Sequence, residues 1–214
     1  MSKGIFVVFE GIDGSGKSTQ LNKAEQFFVA LGIHLCITRE PGGTQVAEEL
    51  RNLLLADREE QILPITEALM LYAGRAQHLD RVIKPHLAAG GIVLCDRYVY
   101  SSYLYQGIYG QVEMDHLSQL DAMTGVIQPD YVLWFNATPE VAASRLARRK
   151  ELDRMDVNDI SRMREGRDTY RFMAEQDPER FREIDADGSE HDVFCRVLPH
   201  LMEIVNRHKA RPAA

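Results

Sequence analysis

The feature that most constrains this chain is a glycine-rich octapeptide between an apolar run and an amphipathic segment. Residues 11–18 read Gly-Ile-Asp-Gly-Ser-Gly-Lys-Ser and match the pattern G-x-x-x-x-G-K-[ST] at every fixed position. The run Ile5–Phe9 before it has no polar alternation, which is typical of a strand buried on both faces. Apolar residues then recur at helical spacing, at Leu21, Ala24, Phe28 and Leu31. The sequence therefore predicts a buried strand, an anion-binding loop and a helix N-terminus in succession, although a plain glycine-rich turn is the alternative.

Short apolar runs and longer amphipathic segments alternate along the rest of the chain. The predicted strands are Ile5–Phe9, Ile33–Thr38, Ile92–Cys95, Tyr131–Phe135 and, with a weaker pattern, Phe181–Ile184. After the helix that follows Gly16, further helices are predicted at Gln45–Leu55, Ile65–Ala89 with a kink at Pro85, His116–Ile127, Pro139–Lys150, Ser161–Gln176 and His191–Arg207. We expect an α/β fold with a doubly wound parallel sheet of about five strands flanked by helices, in a single domain over residues 1–214.

The charge balance argues against a protein that binds a nucleic-acid backbone. The chain has 25 lysines and arginines against 32 aspartates and glutamates, a net charge of −7, whereas backbone binding needs the opposite sign. No apolar stretch is long enough to span a membrane, so we expect neither nucleic-acid nor membrane partners. Cys36, Cys95 and Cys195 form no CxxC pair. They are predicted to be reduced, buried thiols in a cytoplasmic protein.

Two further polar groups are predicted to act with the glycine-rich loop. Lys17 is placed to reach the β- and γ-phosphates of a nucleotide, and the Ser18 hydroxyl is placed to bind Mg²⁺. Asp96 ends the strand Ile92–Cys95, at the sheet edge where such loops lie. It is predicted to bind the same Mg²⁺, although an aspartate that caps the next turn is the alternative.

Several arginines suggest a reaction between two anionic substrates. The guanine-reading pattern Asn-Lys-x-Asp is missing from the late strands, which argues against a guanine-nucleotide switch. Arginines follow the ends of strands or a helix, at Arg39, Arg97, Arg148, Arg149 and Arg154. Guanidinium groups suit phosphate oxygens, so two phosphate-bearing substrates would account for their shared placement, although each alone is a plausible surface charge. The charged stretch Arg145–Arg171 is either a mobile excursion over the site or a solvated helix face.

Over nearly its whole length the chain resembles the thymidylate kinases, a family of P-loop nucleoside monophosphate kinases. The matching segments are Phe9–Thr19, Thr38–Thr44, Tyr72–His78, Asp96–Tyr98 with Ser101, Ser102, Tyr105 and Gln106, and Arg149–Arg154. The resemblance implies a P-loop kinase fold with a short arginine-rich lid at about residues 146–160. It also implies ATP as the donor, with Mg²⁺, and thymidine 5′-monophosphate (dTMP) as the acceptor.

The resemblance also implies individual roles. ATP would bind at Gly11, Asp13, Gly14, Ser15, Gly16, Lys17, Ser18 and Thr19. In the acceptor site, Asp13 would bond the 3′-hydroxyl, Arg97 would hold the 5′-phosphate and Glu40 would organise the pocket and metal-bound water. Arg75, Ser102 and Gln106 would read the polar edge of thymine, while Tyr105 would lie against the 2′ carbon. On residue type alone, the alternatives are a core aromatic for Tyr105, a helix cap for Ser102 and a turn charge for Glu40.

The chain departs from the family pattern at two places. Leu71 stands where the family usually has a phenylalanine that stacks on thymine, so apolar contact replaces ring stacking. The loop also lacks the arginine that some members carry after Asp13, because Gly14 stands there. In such members the lid supplies the cation, and Arg149 is the residue that we expect to contact the γ-phosphate.

The predicted function is therefore transfer of the γ-phosphoryl group of Mg-ATP to dTMP, with Lys17, Arg97 and Arg149 as the catalytic residues. One alternative keeps the fold and the donor but uses another pyrimidine nucleotide or a nucleoside as acceptor. Another is a regulatory protein that hydrolyses ATP slowly. The resemblance further implies a homodimer, for which Ile65–Leu71 or His116–Ile127 could supply the apolar surface.

Overall fold

All five predicted strands form, and they pair in parallel as one sheet. The computed structural model describes residues 4–149 and 154–210. The strands are β1 (Ile5–Glu10), β2 (Leu35–Arg39), β3 (Ile92–Asp96), β4 (Tyr131–Asn136) and β5 (Phe181–Asp185), in the order β2-β3-β1-β4-β5. The chain moves from β1 to the edge strand β2, returns to β3, and then crosses β1 to β4 and β5. The doubly wound parallel sheet is thus confirmed, and the winding direction reverses at β1, where such folds place their ligands.

Each strand extends one residue beyond its predicted end, and in each case that residue is polar. The register pairs Arg39 with Asp96 and Glu10 with Trp134. A prediction from apolar patterning ends each strand one residue too early. These last residues still pair through their backbone, but their side chains are polar and do not continue the apolar run. They carry the functional groups to the carboxyl edge of the sheet.

Helices flank the sheet, and most have bounds close to those predicted, although the helix predicted over Pro139–Lys150 ends at Leu146 and Lys150 lies outside the described residues. They are α1 (Lys17–Ala30), α2 (Gln45–Leu55), α3 (Pro64–His78), α4 (Lys84–Ala88), α5 (Val99–Ser102), α6 (Met114–Thr124), α7 (Pro139–Leu146), α8 (Ile160–Gln176) and α9 (Glu190–Ala210). Thr138 caps α7 by accepting from the Val141 N–H at 3.4 Å, and α6 ends early because Gly125 adopts a left-handed conformation with φ 66°.

The predicted helix Ile65–Ala89 is three pieces rather than one kinked helix. A π-helical turn, Leu79–Ile83, joins α3 to α4. Pro85 lies in the first turn of α4, where it lacks the N–H that would bond the carbonyl of Arg81. A widened turn before the proline relieves the clash of its ring with that carbonyl, so the chain continues without a sharp break.

Sequence patterning missed the helical segment formed by α5 and the π-helical turn Tyr103–Tyr109 that follows it. Its sequence, VYSSYLYQGIY, is crowded with aromatic residues on all sides and shows no amphipathic period. The segment carries Ser102, Tyr105 and Gln106, so its helical form decides which way these side chains point.

Two expectations drawn from composition have separate outcomes. Within the described part of the chain, no helix is long and apolar enough to cross a membrane. Cys36, Cys95 and Cys195 are free thiols, but only Cys95 is buried, while Cys36 is half-buried and Cys195 is exposed. The expectation that all three are buried was wrong for Cys195, because it lies on the solvent side of α9.

Candidate active site

One cavity of about 750 Å³ lies at the carboxyl edge of the sheet, where β1, β2 and β3 end. It brings together most of the predicted site residues. Those that line it are Asp13, Gly14, Ser15, Gly16, Lys17, Ser18, Thr19, Glu40, Leu71, Arg75, Asp96, Arg97, Ser102, Tyr105, Gln106 and Arg149. Gly11 lies behind the wall, where its carbonyl accepts hydrogen bonds from Lys17 and Arg97.

Lys17 is folded back over the glycine-rich loop. Its Nζ donates to the carbonyls of Gly11 at 2.8 Å and Ile12 at 3.0 Å. Burial and the charge of Arg97 together lower the pKa of Lys17 to about 8, against the opposing effects of Asp96 and Asp13. Nζ also lies 3.4 Å from the Ser15 hydroxyl, so its partners are all neutral oxygens. A buried ammonium with such partners is well placed to exchange them for the oxygens of a polyphosphate.

The loop needs glycine at position 14. Gly14 has φ 78°, and a Cβ added there would lie 2.2 Å from the carbonyl oxygen of Ala142 in α7. No side chain fits without moving that backbone. The absence of an arginine after Asp13 is therefore built into the packing of the loop against α7.

Ser18 and Asp96 meet at one side of the loop as predicted. The Ser18 hydroxyl donates to Asp96 Oδ2 at 2.7 Å, and the buried Oδ1 has no hydrogen-bond partner among the described residues. Residues 4–149 and 154–210 contain no group of three or more His, Cys, Asp or Glu placed to hold a metal ion. One carboxylate with one hydroxyl suits Mg²⁺, which keeps several waters and takes its remaining ligands from substrate phosphates.

Asp13, within the loop, forms a compact cluster with Arg97 and Tyr105. Arg97 Nη2 donates to Asp13 Oδ1, the Tyr105 hydroxyl donates to Asp13 Oδ2 at 2.5 Å, and the Arg97 guanidinium lies 5.2 Å from the Tyr105 ring centre. Burial acts to raise the pKa of Asp13, but Arg97, Lys17 and the donated hydrogen bonds outweigh it and hold the pKa below its ordinary value. The carboxylate therefore stays ionised and fixes the arginine.

A second polar chain runs along the far wall of the cavity. Arg75 Nε donates to Glu40 Oε2 at 2.7 Å, and its Nη2 donates to the Ser102 hydroxyl at 2.8 Å. The other Glu40 oxygen lies 3.1 Å from Nδ1 of the fully buried His78. Because both Glu40 oxygens are engaged, Glu40 serves to fix Arg75 rather than acting as a free turn charge.

This wall also presents buried donors that find no acceptor in the part of the chain that the structure describes. Arg75 Nη1 and Gln106 Nε2 are buried and lack a hydrogen-bond acceptor among the described residues. Buried polar groups are nearly always bonded, so such atoms beside a cavity point to a ligand that supplies acceptors. Leu71 lines the same region with an apolar surface. The neighbouring Tyr72 instead packs beneath the Arg75 guanidinium, 4.4 Å from it.

The arginines that follow α7 point in different directions. Arg148 and Arg149 line the cavity, and Arg149 pairs with Asp156 at 3.1 Å. Arg154 points elsewhere, donating to the Leu54 carbonyl at 2.9 Å and to Glu67 at 2.7 Å. Residues 150–153 of the predicted lid lie outside the described residues. Beyond them, the Val157 N–H donates to Asp13 Oδ2 at 3.1 Å, which ties this segment to the glycine-rich loop.

Sequence reasoning missed four residues at or behind the site. Arg51 lines the cavity from the interior of α2 and Arg145 from the last turn of α7, positions where charged residues ordinarily face solvent. Glu10 and Tyr170 lie buried behind Arg97. A glutamate at the end of an otherwise apolar strand is a signal that could have found Glu10, since an unpaired carboxylate is costly to bury.

Three comparisons with known proteins agree with one another. A model of the thymidylate kinase family matches residues 9–197. The thymidylate kinase of Teredinibacter turnerae is 42% identical over 184 residues, which cover 86% of this chain and 90% of that protein. The thymidylate kinase of Symbiobacterium thermophilum is 40% identical over 206 residues, with 95% of each chain covered.

A solved structure extends the similarity to three dimensions. The crystal structure of the thymidylate kinase from Ehrlichia chaffeensis superimposes with a TM-score of 0.72 and 31% sequence identity. The match covers 93% of this chain and 98% of that one.

Proposed function

Since the chain belongs to the thymidylate kinase family, we propose that it transfers the γ-phosphoryl group of ATP to dTMP and releases ADP and dTDP. The observation that carries the proposal is a single cavity with two chemically different ends. The glycine-rich loop and Lys17 form one end, and Arg97 with the polar chain Glu40–Arg75–Ser102 forms the other. Two nucleotides would meet head to head between them.

At the donor end the loop binds the polyphosphate of ATP. Gly11, Asp13, Gly14, Ser15, Gly16, Lys17, Ser18 and Thr19 supply this part of the site. Lys17 exchanges its carbonyl partners for phosphate oxygens, and the N-terminus of α1 adds its positive end. Ser18 and Asp96 would hold Mg²⁺, which neutralises charge on the β- and γ-phosphates when bound.

At the acceptor end Arg97 binds the 5′-phosphate of dTMP, held in place by Asp13. Asp13 also meets the 3′-hydroxyl, and Tyr105 lies where a ribose 2′-hydroxyl would collide with its ring. The acceptorless donors of Arg75 and Gln106 support their proposed role as readers of the thymine edge, together with Ser102. Leu71 gives the base apolar contact.

The transfer itself needs no covalent enzyme intermediate. The acceptor phosphate is a nucleophile at neutral pH, so the protein aligns the two phosphates and neutralises their charge. Arg149 lies at the cavity rim, from which it contacts the γ-phosphoryl group as charge shifts during transfer. The lid at about residues 146–160 would close over the nucleotides and exclude water.

We also propose that the enzyme works in the cytoplasm as a homodimer. Exposed apolar side chains support this assembly, because Ile65, Leu69 and Met123 are 40%, 51% and 81% exposed in the two helical segments singled out for it. Sedimentation at micromolar concentration tests the proposal, which a purely monomeric species would refute.

A coupled ADP-release assay over several acceptors tests the proposed function. We expect the highest kcat/KM with dTMP in a panel that also contains dUMP, dCMP, UMP, AMP and thymidine. Faster turnover of any other acceptor would refute dTMP as the substrate. ADP release that no acceptor stimulates would favour slow ATP hydrolysis instead.

A further inference from the structure

Glu10 is a buried carboxylate to which the proposed reaction assigns no role. It is the last residue of β1, directly before the glycine-rich loop, and it is fully buried. Burial raises the pKa of Glu10, against the opposing effects of Arg97 and of the hydrogen bonds that the carboxylate accepts. A carboxylate in such surroundings destabilises the fold unless its partners satisfy it completely.

Each carboxylate oxygen of Glu10 accepts two hydrogen bonds. Oε1 accepts from the backbone N–H groups of Tyr98 at 2.7 Å and Ser101 at 3.3 Å. Oε2 accepts from the Ser101 hydroxyl at 2.7 Å and from the Tyr170 hydroxyl at 2.7 Å. Four donors match the four acceptor positions of an ionised carboxylate. None of the four is a cation, so the cluster fixes geometry rather than forming an ion pair.

Two of these bonds act on Arg97, one on its backbone and the other on its guanidinium. The first bond comes from the N–H of Tyr98, the residue directly after Arg97. Arg97 itself has φ 66°. That left-handed conformation is unfavourable for arginine, and the bond from Tyr98 to Glu10 holds the chain in it. Ser101 gives its proton to Glu10, so its oxygen is free to accept from Arg97 Nη1 at 3.1 Å. Glu10 therefore fixes both the backbone and the guanidinium of Arg97.

We propose that Glu10 is a positioning residue for acceptor-phosphate binding, acting on Arg97 through the Tyr98 N–H and the Ser101 hydroxyl. The proposal rests on the proposed function, because it takes Arg97 as the ligand of the 5′-phosphate. Glu10 precedes the donor loop in sequence but orients the acceptor side. Because Glu10 lies at the end of β1, it fixes the position of Arg97 relative to the loop that follows β1.

The experiment compares two variants that both keep Glu10. Ser101→Ala removes the hydroxyl that links Glu10 to the Arg97 guanidinium and keeps the bond from the Tyr98 N–H. Tyr170→Phe removes a donor from the same carboxylate oxygen, together with a 3.2 Å contact to Ser101 Oγ, but it keeps the Ser101 hydroxyl that bonds both Glu10 and Arg97, so it is the matched control. Calorimetry measures the binding of dTMP and of thymidine, which lacks the phosphate, and steady-state kinetics measures KM for dTMP and for ATP.

We expect Ser101→Ala to weaken dTMP binding about tenfold, the effect of one charge-assisted hydrogen bond, and to leave thymidine binding and KM for ATP within about twofold. Tyr170→Phe should change dTMP binding less than about threefold. Glu10→Ala, where it folds, should weaken dTMP binding more than Ser101→Ala, because it also removes the acceptor of the Tyr98 N–H that holds the backbone of Arg97.

Two results would overturn the positioning role. One is an equal loss of dTMP and thymidine binding in Ser101→Ala, and the other is an equal effect of Tyr170→Phe and Ser101→Ala on dTMP. Failure of the proposed function looks different, because the unaltered protein would then bind dTMP no better than the other acceptors.

Discussion

Arg149 and Asp156 form an ion pair in which the arginine is exposed and the aspartate is buried. Their side chains are 53% and 7% exposed, and Nη1 lies 3.1 Å from Oδ1. The guanidinium is therefore anchored through one terminal nitrogen, while about half of the side chain stays exposed and lines the cavity. A phosphate that enters the cavity meets a cation already restricted in position, which reduces the entropy lost when the contact forms.

Replacement of Arg149 by alanine should reduce kcat about 10³-fold or more, the range found for arginines that neutralise a transferring phosphoryl group. Arg154→Ala is the matched control, since Arg154 bonds Leu54 and Glu67 outside the cavity. It should keep kcat within about tenfold, the most that the loss of a partly exposed ion pair accounts for. Single-turnover rates at saturating nucleotide measure both. Equal losses in the two variants would contradict the assignment of Arg149.

Asp96→Asn should raise the concentration of free Mg²⁺ needed for half-maximal activity by more than about tenfold, because a neutral amide is a poorer ligand for a hard cation. Ser18→Ala should have a smaller effect, since a hydroxyl contributes no charge. Activity measured against free Mg²⁺ at fixed ATP gives both values. An unchanged Mg²⁺ requirement in Asp96→Asn would show that the carboxylate does not hold the metal.

Leu71→Phe should strengthen dTMP binding by about 0.5–1.5 kcal/mol, or roughly two- to tenfold, through ring stacking on the base. Leu71→Met is the control, because it keeps an apolar side chain of similar volume without a ring. Calorimetric titration with dTMP compares the three proteins. If the phenylalanine variant binds no more tightly than the methionine variant, the base does not lie against position 71.

ATP binding should take up protons in alkaline solution. Burial lowers the pKa of Lys17 to about 8, so in the free protein the ammonium loses its proton as the pH rises through that value. Bound phosphates favour the charged form and restore the proton. Affinity for ATP should therefore fall above about pH 8. Calorimetry in buffers of different ionisation enthalpy measures the uptake, and Lys17→Met should abolish it. Uptake that persists in this variant would assign the proton to another group.

Gly14→Ala and Gly32→Ala should destabilise the fold by different amounts. Both glycines have a left-handed backbone conformation, with φ of 78° and 67°. A Cβ at Gly14 would meet the backbone of Ala142, whereas nothing lies within 4 Å of a Cβ at Gly32. Gly32→Ala should cost about 1–2 kcal/mol from backbone strain alone. Gly14→Ala should cost about 1–3 kcal/mol more, because the new methyl group meets Ala142. Urea unfolding measures the free energy of unfolding of both variants. Equal decreases would mean that the loop moves away from Ala142 at no cost.

Most of the fold follows from local sequence patterns. Apolar runs without polar alternation identify strands buried on both faces, and the five strands formed where the pattern placed them. The segment Val99–Tyr109 did not follow, because its aromatic residues have no helical period. Neither did the π-helical turn before Pro85, which depends on how the chain accommodates a missing N–H.

The candidate site was predictable where chemistry is encoded in short motifs. Lys17, Ser18 and Asp96 meet as the motif and the strand end indicate. The separation of Arg149 from Arg154 was not predictable, because both lie in one charged stretch and only tertiary contacts distinguish them. The buried role of Glu10 likewise depends on donors 88 to 160 positions away in sequence.

The order of the strands in the sheet makes the parts of the cavity differ in their resistance to local unfolding. The phosphate-binding loop follows β1, Asp96 ends β3 and Arg97 follows it, and both of these strands are bonded on two sides. Glu40 follows β2, which is bonded on one side only. Deuterium should therefore enter the amides of β2 sooner than those of β1. Under mild denaturation the fraying edge loses Glu40 and its hold on Arg75 first. Discrimination among nucleobases then declines while the triphosphate is still retained.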